Sequence, residues 1–230
     1  MSYLEVNLDP FISLWRKHDT AAINPLNLLS YVDSSFAGGI SFTYQSDTPL
    51  FSEISTLRKL TNSRINIRIT SDEEIYKKVI DLKPDVITLQ NPDNEYSTIN
   101  LPSKMNSKII NQARDKNITV VPRIKPDIKQ LKQVYKLRCP EAEIATNLLG
   151  KTENKTNFYN IMGDLTKCYK TAKKNNLRIS FGGNLNKRLI LALNRVMTPE
   201  FYSMGRYLIS LSLIKGIDRV LEDIVDTIEK

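Results

Sequence analysis

Eight short β-like runs alternate with stretches of helical period along this 230-residue chain. Tyr3–Leu8, Gly39–Tyr44, Arg64–Thr70, Asp85–Leu89, Ile118–Ile124, Glu141–Thr146, Leu177–Phe181 and Phe201–Met204 read as strands, from their β-branched and aromatic content and period-two alternation. Between them, apolar residues recur at helical spacing. Ser71-Asp-Glu-Glu74 has the form of a capping box opening a helix over Glu73–Leu82, with Ile75, Val79, Ile80 and Leu82 as its stripe. Ile128, Leu131, Val134 and Leu137 form a second stripe after Pro126, and Phe158, Ile161, Met162, Leu165, Tyr169 and Ala172 a third. The longest helix is expected last, with Ile214, Ile217, Val220, Leu221, Ile224, Val225 and Ile228 on one face.

Eight β-then-α units predict an α/β protein, a (β/α)₈ TIM barrel forming a single domain over residues 1–230. A doubly wound open sheet alternates in the same way, and periodicity does not separate the two. In a barrel the site lies at the C-terminal strand ends. Those ends carry Asn7 and Asp9, Thr43 and Gln45, Asn66 and Arg68, Gln90, Arg123 and Lys125, Glu143 and Thr146, Gly182-Gly183-Asn184, and Gly205-Arg206. Four cations against two carboxylates predict a mouth that favours an anionic ligand.

Composition narrows the chemistry. With 33 Lys+Arg against 25 Asp+Glu the formal net charge is +8; apolar residues make up 41% and charged residues 25%, as expected of a globular chain. No run approaches the roughly 18–20 consecutive apolar residues of a membrane span, and the N-terminus lacks the pattern of a signal peptide, so a cytoplasmic protein without a membrane partner is expected. Cys139 and Cys168 form no Cys-x-x-Cys pair, which argues against a structural zinc site or a disulfide framework. The one histidine, His18, rules out a site built from several imidazoles.

Candidate residues follow from these positions. Gly182-Gly183-Asn184 precedes a helix expected near Leu185, and Gly205-Arg206 precedes the final helix. Loops after strands seven and eight of such barrels often bind phosphate, through close-approaching amides and a helix N-terminus, with an arginine adding a bidentate contact. Two tight turns without a ligand would look the same in sequence. Asn7 and Asp9 share a face by the period of two, and either position a substrate or share a hydrogen-bond network. Arg68 and Glu143 are expected to pair inside the upper barrel, which keeps the carboxylate ionised and a weak base. His18 is read as a loop residue, solvated or catalytic. Ten basic residues and two acids between Lys104 and Arg138 fit a solvated face better than a nucleic-acid surface, since no aromatic platform interleaves them.

Taken in order, these segments resemble the pyridoxine 5′-phosphate synthase family. Glu5-Val-Asn-Leu-Asp9 resembles the family's Gly-Val-Asn-Ile-Asp-His. Asn24-Pro25 is similar to its Asp-Pro, and Ala37-Gly-Gly-Ile40 to its Ala-Asp-Gly-Ile. Arg64-Ile-Asn-Ile67 resembles Asn-Leu-Glu, and Lys83-Pro-Asp-Val-Ile-Thr-Leu89 resembles Lys-Pro-Asp-x-Val-Thr-Leu. Glu143-Ile-Ala-Thr146 is similar to Glu-Leu-His-Thr-Gly, and Gly182 and Gly205 fall in the two phosphate loops. The resemblance implies a homo-oligomeric barrel that joins 3-amino-2-oxopropyl phosphate to 1-deoxy-D-xylulose 5-phosphate, without metal or organic cofactor, by proton transfers from histidines and a glutamate.

The departures fall on the proton carriers. Where the family has histidines, this chain has Pro10, Ala145, Gly183 and Arg206; where it has the strand-three glutamate, this chain has Arg68. The strand-two loop Thr43–Leu50 keeps only Asp47 of the family's charged set. Asn7, Asp9, Asn66, Glu143, Thr146 and the two loop glycines persist. If the reaction is retained, Glu143, Asp9 and His18 are the catalytic candidates. Asn7, Asn66, Arg68, Arg123, Thr146, Gly182, Gly183, Gly205 and Arg206 are then the candidates for holding phosphorylated small-molecule substrates. The alternative is a repurposed paralogue that binds a phosphometabolite or partner without turnover.

Overall fold

A computed structural model of the chain describes residues 1–18, 24, 26–45, 54–91, 98–99, 101, 103–152 and 154–230, without the side chains of His18 and residues 54–56. Eight parallel strands close into a barrel in sequence order, β1 (Tyr3–Asn7), β2 (Gly39–Thr43), β3 (Arg64–Ile69), β4 (Val86–Leu89), β5 (Thr119–Ile124), β6 (Glu141–Ala145), β7 (Arg178–Gly182) and β8 (Phe201–Met204). β8 closes on β1 through Tyr3↔Phe201 to Val6↔Met204. This is the expected (β/α)₈ TIM barrel and rules out the open sheet.

The helices are α1 (Asp9–His18), α2 (Leu28–Ser34), α3 (Ile54–Leu60), α4 (Glu73–Asp81), α5 (Lys104–Asp115), α6 (Ile128–Lys136), α7 (Lys155–Lys174), α8 (Lys187–Asn194), α9 (Arg206–Lys215) and α10 (Ile217–Glu229). Several sequence expectations shift. The α4 N-cap is Asp72, whose carboxylate accepts from the amides of Glu74 and Ile75, while Ser71 turns away to hydrogen-bond Asn106. The N-cap thus moves by one position, and with Ile75 at the third helical position no side chain reaches back to complete a capping box. The expected long final helix is two helices broken at Gly216, Ile214 is 82% exposed, and α7 at 20 residues is longer than either. α8 starts at Lys187 behind an Asn186 cap rather than near Leu185. His18 ends α1 and is not in a loop.

Period two decides where the core sits. Leu4, Val6, Ile40, Phe42, Ile65 and Ile67 point outward from their strands and are at most 1% exposed beneath the helices. The apolar core is therefore the shell between strands and helices. The barrel lumen, usually filled by Val, Ile and Leu, is polar here: Glu5, Asn66, Arg68, Thr88, Arg123, Glu143 and Ser203 are buried and hydrogen-bonded to one another. At the N-terminal end, Glu141 accepts from Arg64 at 2.8 Å and from Ser180 at 2.6 Å, closing the lumen below.

Candidate active site at the strand ends

The upper lumen is organised around Glu143 on β6. Arg68 of β3 reaches it with two nitrogens, Nη2 donating to Oε2 at 2.7 Å and Nη1 to Oε1 at 3.2 Å. Arg123 of β5 donates to Oε1 from the other side. All three residues are at most 3% exposed. Arg68 Nη2 also meets Glu5 Oε1 at 3.0 Å and Ser203 Oγ at 2.8 Å, and Asn66 donates to Glu5 Oε2 at 3.0 Å. Two arginines thus face two glutamates, and the expected cationic excess is cancelled inside the barrel. Burial alone would raise the Glu5 carboxyl; Arg68, Arg64 and the hydrogen bonds from Asn66 and Ser203 outweigh it and hold Glu5 below the usual carboxylate range.

From this cluster a chain of hydrogen bonds climbs to the mouth. Arg123 Nη2 donates to Asn147 Oδ1 at 2.9 Å, and the Asn147 carbonyl accepts from Asn184 Nδ2 at 3.2 Å. Asn184 Oδ1 in turn accepts from Arg206 Nη2 at 3.0 Å. The loop that follows β7 is shaped by contact with it. Gly183 sits at φ 111°, and a Cβ there would overlap Asn147 Oδ1. A Cβ on Gly182 would stand 2.6 Å from Glu143 Oε1. Thr146 Oγ1 donates to the Gly183 carbonyl at 2.7 Å and is 1% exposed, so it braces the loop from behind.

On the opposite side, Asn7 Oδ1 accepts the Asp9 amide at 2.8 Å, starting α1. Asp9 accepts twice from Thr43, from the amide and from the hydroxyl, each at 2.7 Å. Of the two readings of Asn7 and Asp9, the hydrogen-bond network is therefore present, joining β1, β2 and α1.

One pocket brings most of these residues together. Asn7, Asp9, Arg68, Arg123, Gly183, Gly205 and Arg206 line it, with Gln90, Asn184, Leu185, Ser203 and Tyr207. Asn66, Glu143, Thr146 and Gly182 support that lining from behind. The His18 side chain, Pro25 and Asp47 lie outside the described residues. Arg206 is exposed at the mouth, where the first turn of α9 follows Gly205 without a side-chain cap. Among the described residues no group of three His, Cys, Asp or Glu could hold a metal ion.

Sequence reasoning did not select Glu5, Asn147 or Ser203, and it placed Gln90 and Asn184 at strand ends without giving either a role. Glu5 carried a signal, since it stands two residues before Asn7 on the same strand face. Asn147 lies one residue past Thr146 in a turn, where no strand period could assign its direction.

Comparison with known proteins decides the ancestry. The profile of the family described as "Pyridoxal phosphate biosynthesis protein PdxJ" matches residues 4–230. The chain belongs to this family. A pyridoxine 5′-phosphate synthase of Geotalea uraniireducens is 24% identical, with 100% of this chain and 99% of that protein aligned. One from Nostoc punctiforme is 22% identical over 99% and 98%. Among solved structures, a tryptophan synthase alpha-subunit from Pyrococcus furiosus superposes with a TM-score of 0.65 at 15% identity, covering 99% of this chain and 96% of that one. The 3-keto-L-gulonate-6-phosphate decarboxylase of Vibrio cholerae gives 0.64 at 15%, over 99% and 97%. At that identity these likenesses speak to the barrel fold alone. Within the shared barrel, this chain's upper lumen is filled by the Arg68–Glu143–Arg123 cluster. No described helix is long and apolar enough to cross a membrane.

Proposed function

We propose that this PdxJ-family barrel binds a phosphorylated small molecule at its strand ends and no longer performs the ring closure of the family. The observation that carries this reading is the double clamp on Glu143. Both of its oxygens accept from arginines in a buried setting. A carboxylate so held gives up stabilisation when it takes a proton, which makes it a weak base. The Arg68 guanidinium only donates hydrogen bonds and cannot stand in for a base. Asp9 is committed to Thr43 through both oxygens.

Phosphate binding needs none of these groups. Gly183, Asn184, Gly205 and Arg206 border one pocket, and the uncapped first turn of α9 adds amide hydrogens with the positive end of its dipole. Arg206, braced by Asn184 and exposed at the mouth, is a cation placed to meet a ligand there. The cytoplasm as location and assembly with further copies of the chain are part of the same reading, drawn from the family.

The test is calorimetric titration with inorganic phosphate and 1-deoxy-D-xylulose 5-phosphate. Saturable binding of both, weakened at least about tenfold by Arg206→Gln, is expected. Absence of binding by either would remove the phosphate reading.

A further inference from the structure

Gln90 and Arg68 each carry a buried polar atom on the pocket wall that has no hydrogen-bond partner among the described residues. Gln90 is 4% exposed and its Oε1 accepts no hydrogen bond; Arg68 is 3% exposed and its Nε–H donates none. Buried groups of this kind are ordinarily satisfied, so an unmatched acceptor and an unmatched donor on one pocket wall point to a ligand group that satisfies both. The two residues are neighbours on the wall. Arg68 stands opposite Thr88 in the β3–β4 ladder, and Gln90 is the next inward position above Thr88. Both line the same pocket as Arg206.

The amide orientation of Gln90 is fixed by its surroundings. Thr43 Oγ1 gives its one proton to Asp9 Oδ2 at 2.7 Å. Towards Gln90 it can therefore only accept, which turns Nε2 to Thr43 at 3.5 Å and leaves Oε1 facing away from it.

We infer that Gln90 Oε1 and Arg68 Nε form a hydroxyl-recognition subsite within the phosphate pocket. A ligand hydroxyl accepts from Arg68 Nε–H and donates to Gln90 Oε1, one bond of each kind. A keto oxygen only accepts, an ammonium only donates, and a methylene does neither. The inference rests on the phosphate reading above and adds the second recognition element, so that the ligand class is a hydroxylated phosphate ester. Gln90 acts here as a specificity-determining residue. A site built to pair with a hydroxyl rejects an analogue without one far more strongly than an apolar pocket rejects an extra methylene.

Titration of the intact protein with three probes tests this: inorganic phosphate, propyl phosphate and sn-glycerol 3-phosphate. The expected result is that glycerol 3-phosphate binds at least about tenfold tighter than propyl phosphate, and that Gln90→Met lowers this preference to about twofold or less. The preference is a ratio within one protein sample, so partial unfolding of the variant does not alter it. A wild-type ratio within about twofold, with phosphate and propyl phosphate both bound, overturns the subsite alone and leaves water as its occupant. A preference that survives Gln90→Met also overturns it. Failure of all three probes removes the phosphate reading and this inference with it.

Discussion

Arg68 and Glu143 meet inside the barrel through two hydrogen bonds of 2.7 and 3.2 Å, at 3% and 2% exposure. They come from β3 and β6, which are not adjacent, so the pair ties distant parts of the wall together. In the family resemblance, the strand-three position carries a glutamate; an arginine there turns a proton acceptor into a clamp on the remaining glutamate. The geometry thus sets a cation against Glu143 at the position where the resemblance implies a proton acceptor.

Removing that clamp should unfold rather than reactivate the barrel. Arg68→Met leaves Glu5 without its closest cation, and breaking a buried pair from one side typically costs about 3–5 kcal/mol. Adding Glu5→Gln should recover part of the loss. Urea unfolding of the two single variants and the double variant measures the coupling; a loss under about 1 kcal/mol for Arg68→Met would contradict the buried-clamp account.

Stability should fall on the acid side for a reason traceable to Glu5. Its folded-state value lies below the ordinary 4.5, so the unfolded chain takes up a proton there first. The Glu5 contribution is therefore complete above pH 4.5 and is lost as pH falls through the lower folded value. Unfolding free energy measured in this acid range should rise with pH, and Glu5→Gln should flatten that slope.

Gly183→Ala should damage both fold and mouth. The substitution places a Cβ onto Asn147 Oδ1 and asks alanine to hold φ 111°. A cost of at least about 2 kcal/mol is expected from strain and the displaced Arg123–Asn147 bond. Thermal unfolding, read beside phosphate affinity, checks both effects. Unchanged values for both would mean that the loop is not built around this contact.

The two cysteines should behave as inert core. Burial pushes the Cys139 thiol up to about 12, against a small opposing effect of Arg114, and burial with nearby Asp127 and Asp164 pushes Cys168 up to about 11. Neither forms thiolate near neutral pH. Iodoacetamide at pH 8 should label neither in the folded protein and both after denaturation, with mass spectrometry as the readout.

Much of this arrangement is legible in the amino-acid sequence. Period two placed Glu143, Arg68 and Asn7 on the lumen side, and their opposite charges made the Arg68–Glu143 contact foreseeable. The alternation of eight strands with helices pointed to a barrel, and the pairing of β8 with β1 is what excludes the open sheet. What strand period could not supply was the second coordination of Glu143 by Arg123. Taking the strand-end cations as a free positive mouth overlooked Glu5, deeper on β1, which neutralises Arg68. Helix periodicity also misjudged the C-terminus. Ile214 fits the apolar stripe by spacing, yet the Gly216 break rotates α9 relative to α10 and leaves it exposed. Gln90 was in view as a strand end, but an unpaired amide oxygen is visible only once Thr43 and Asp9 are placed.

The most direct test of the central claim is pyridoxine 5′-phosphate formation from both phosphorylated substrates, run beside the Geotalea uraniireducens relative. The account predicts no product at a level within about a hundredfold of that enzyme, together with thermal stabilisation by 1-deoxy-D-xylulose 5-phosphate. Product formation inside that hundredfold range would contradict it, because it would require a working base in a lumen where Glu143 is clamped by two arginines.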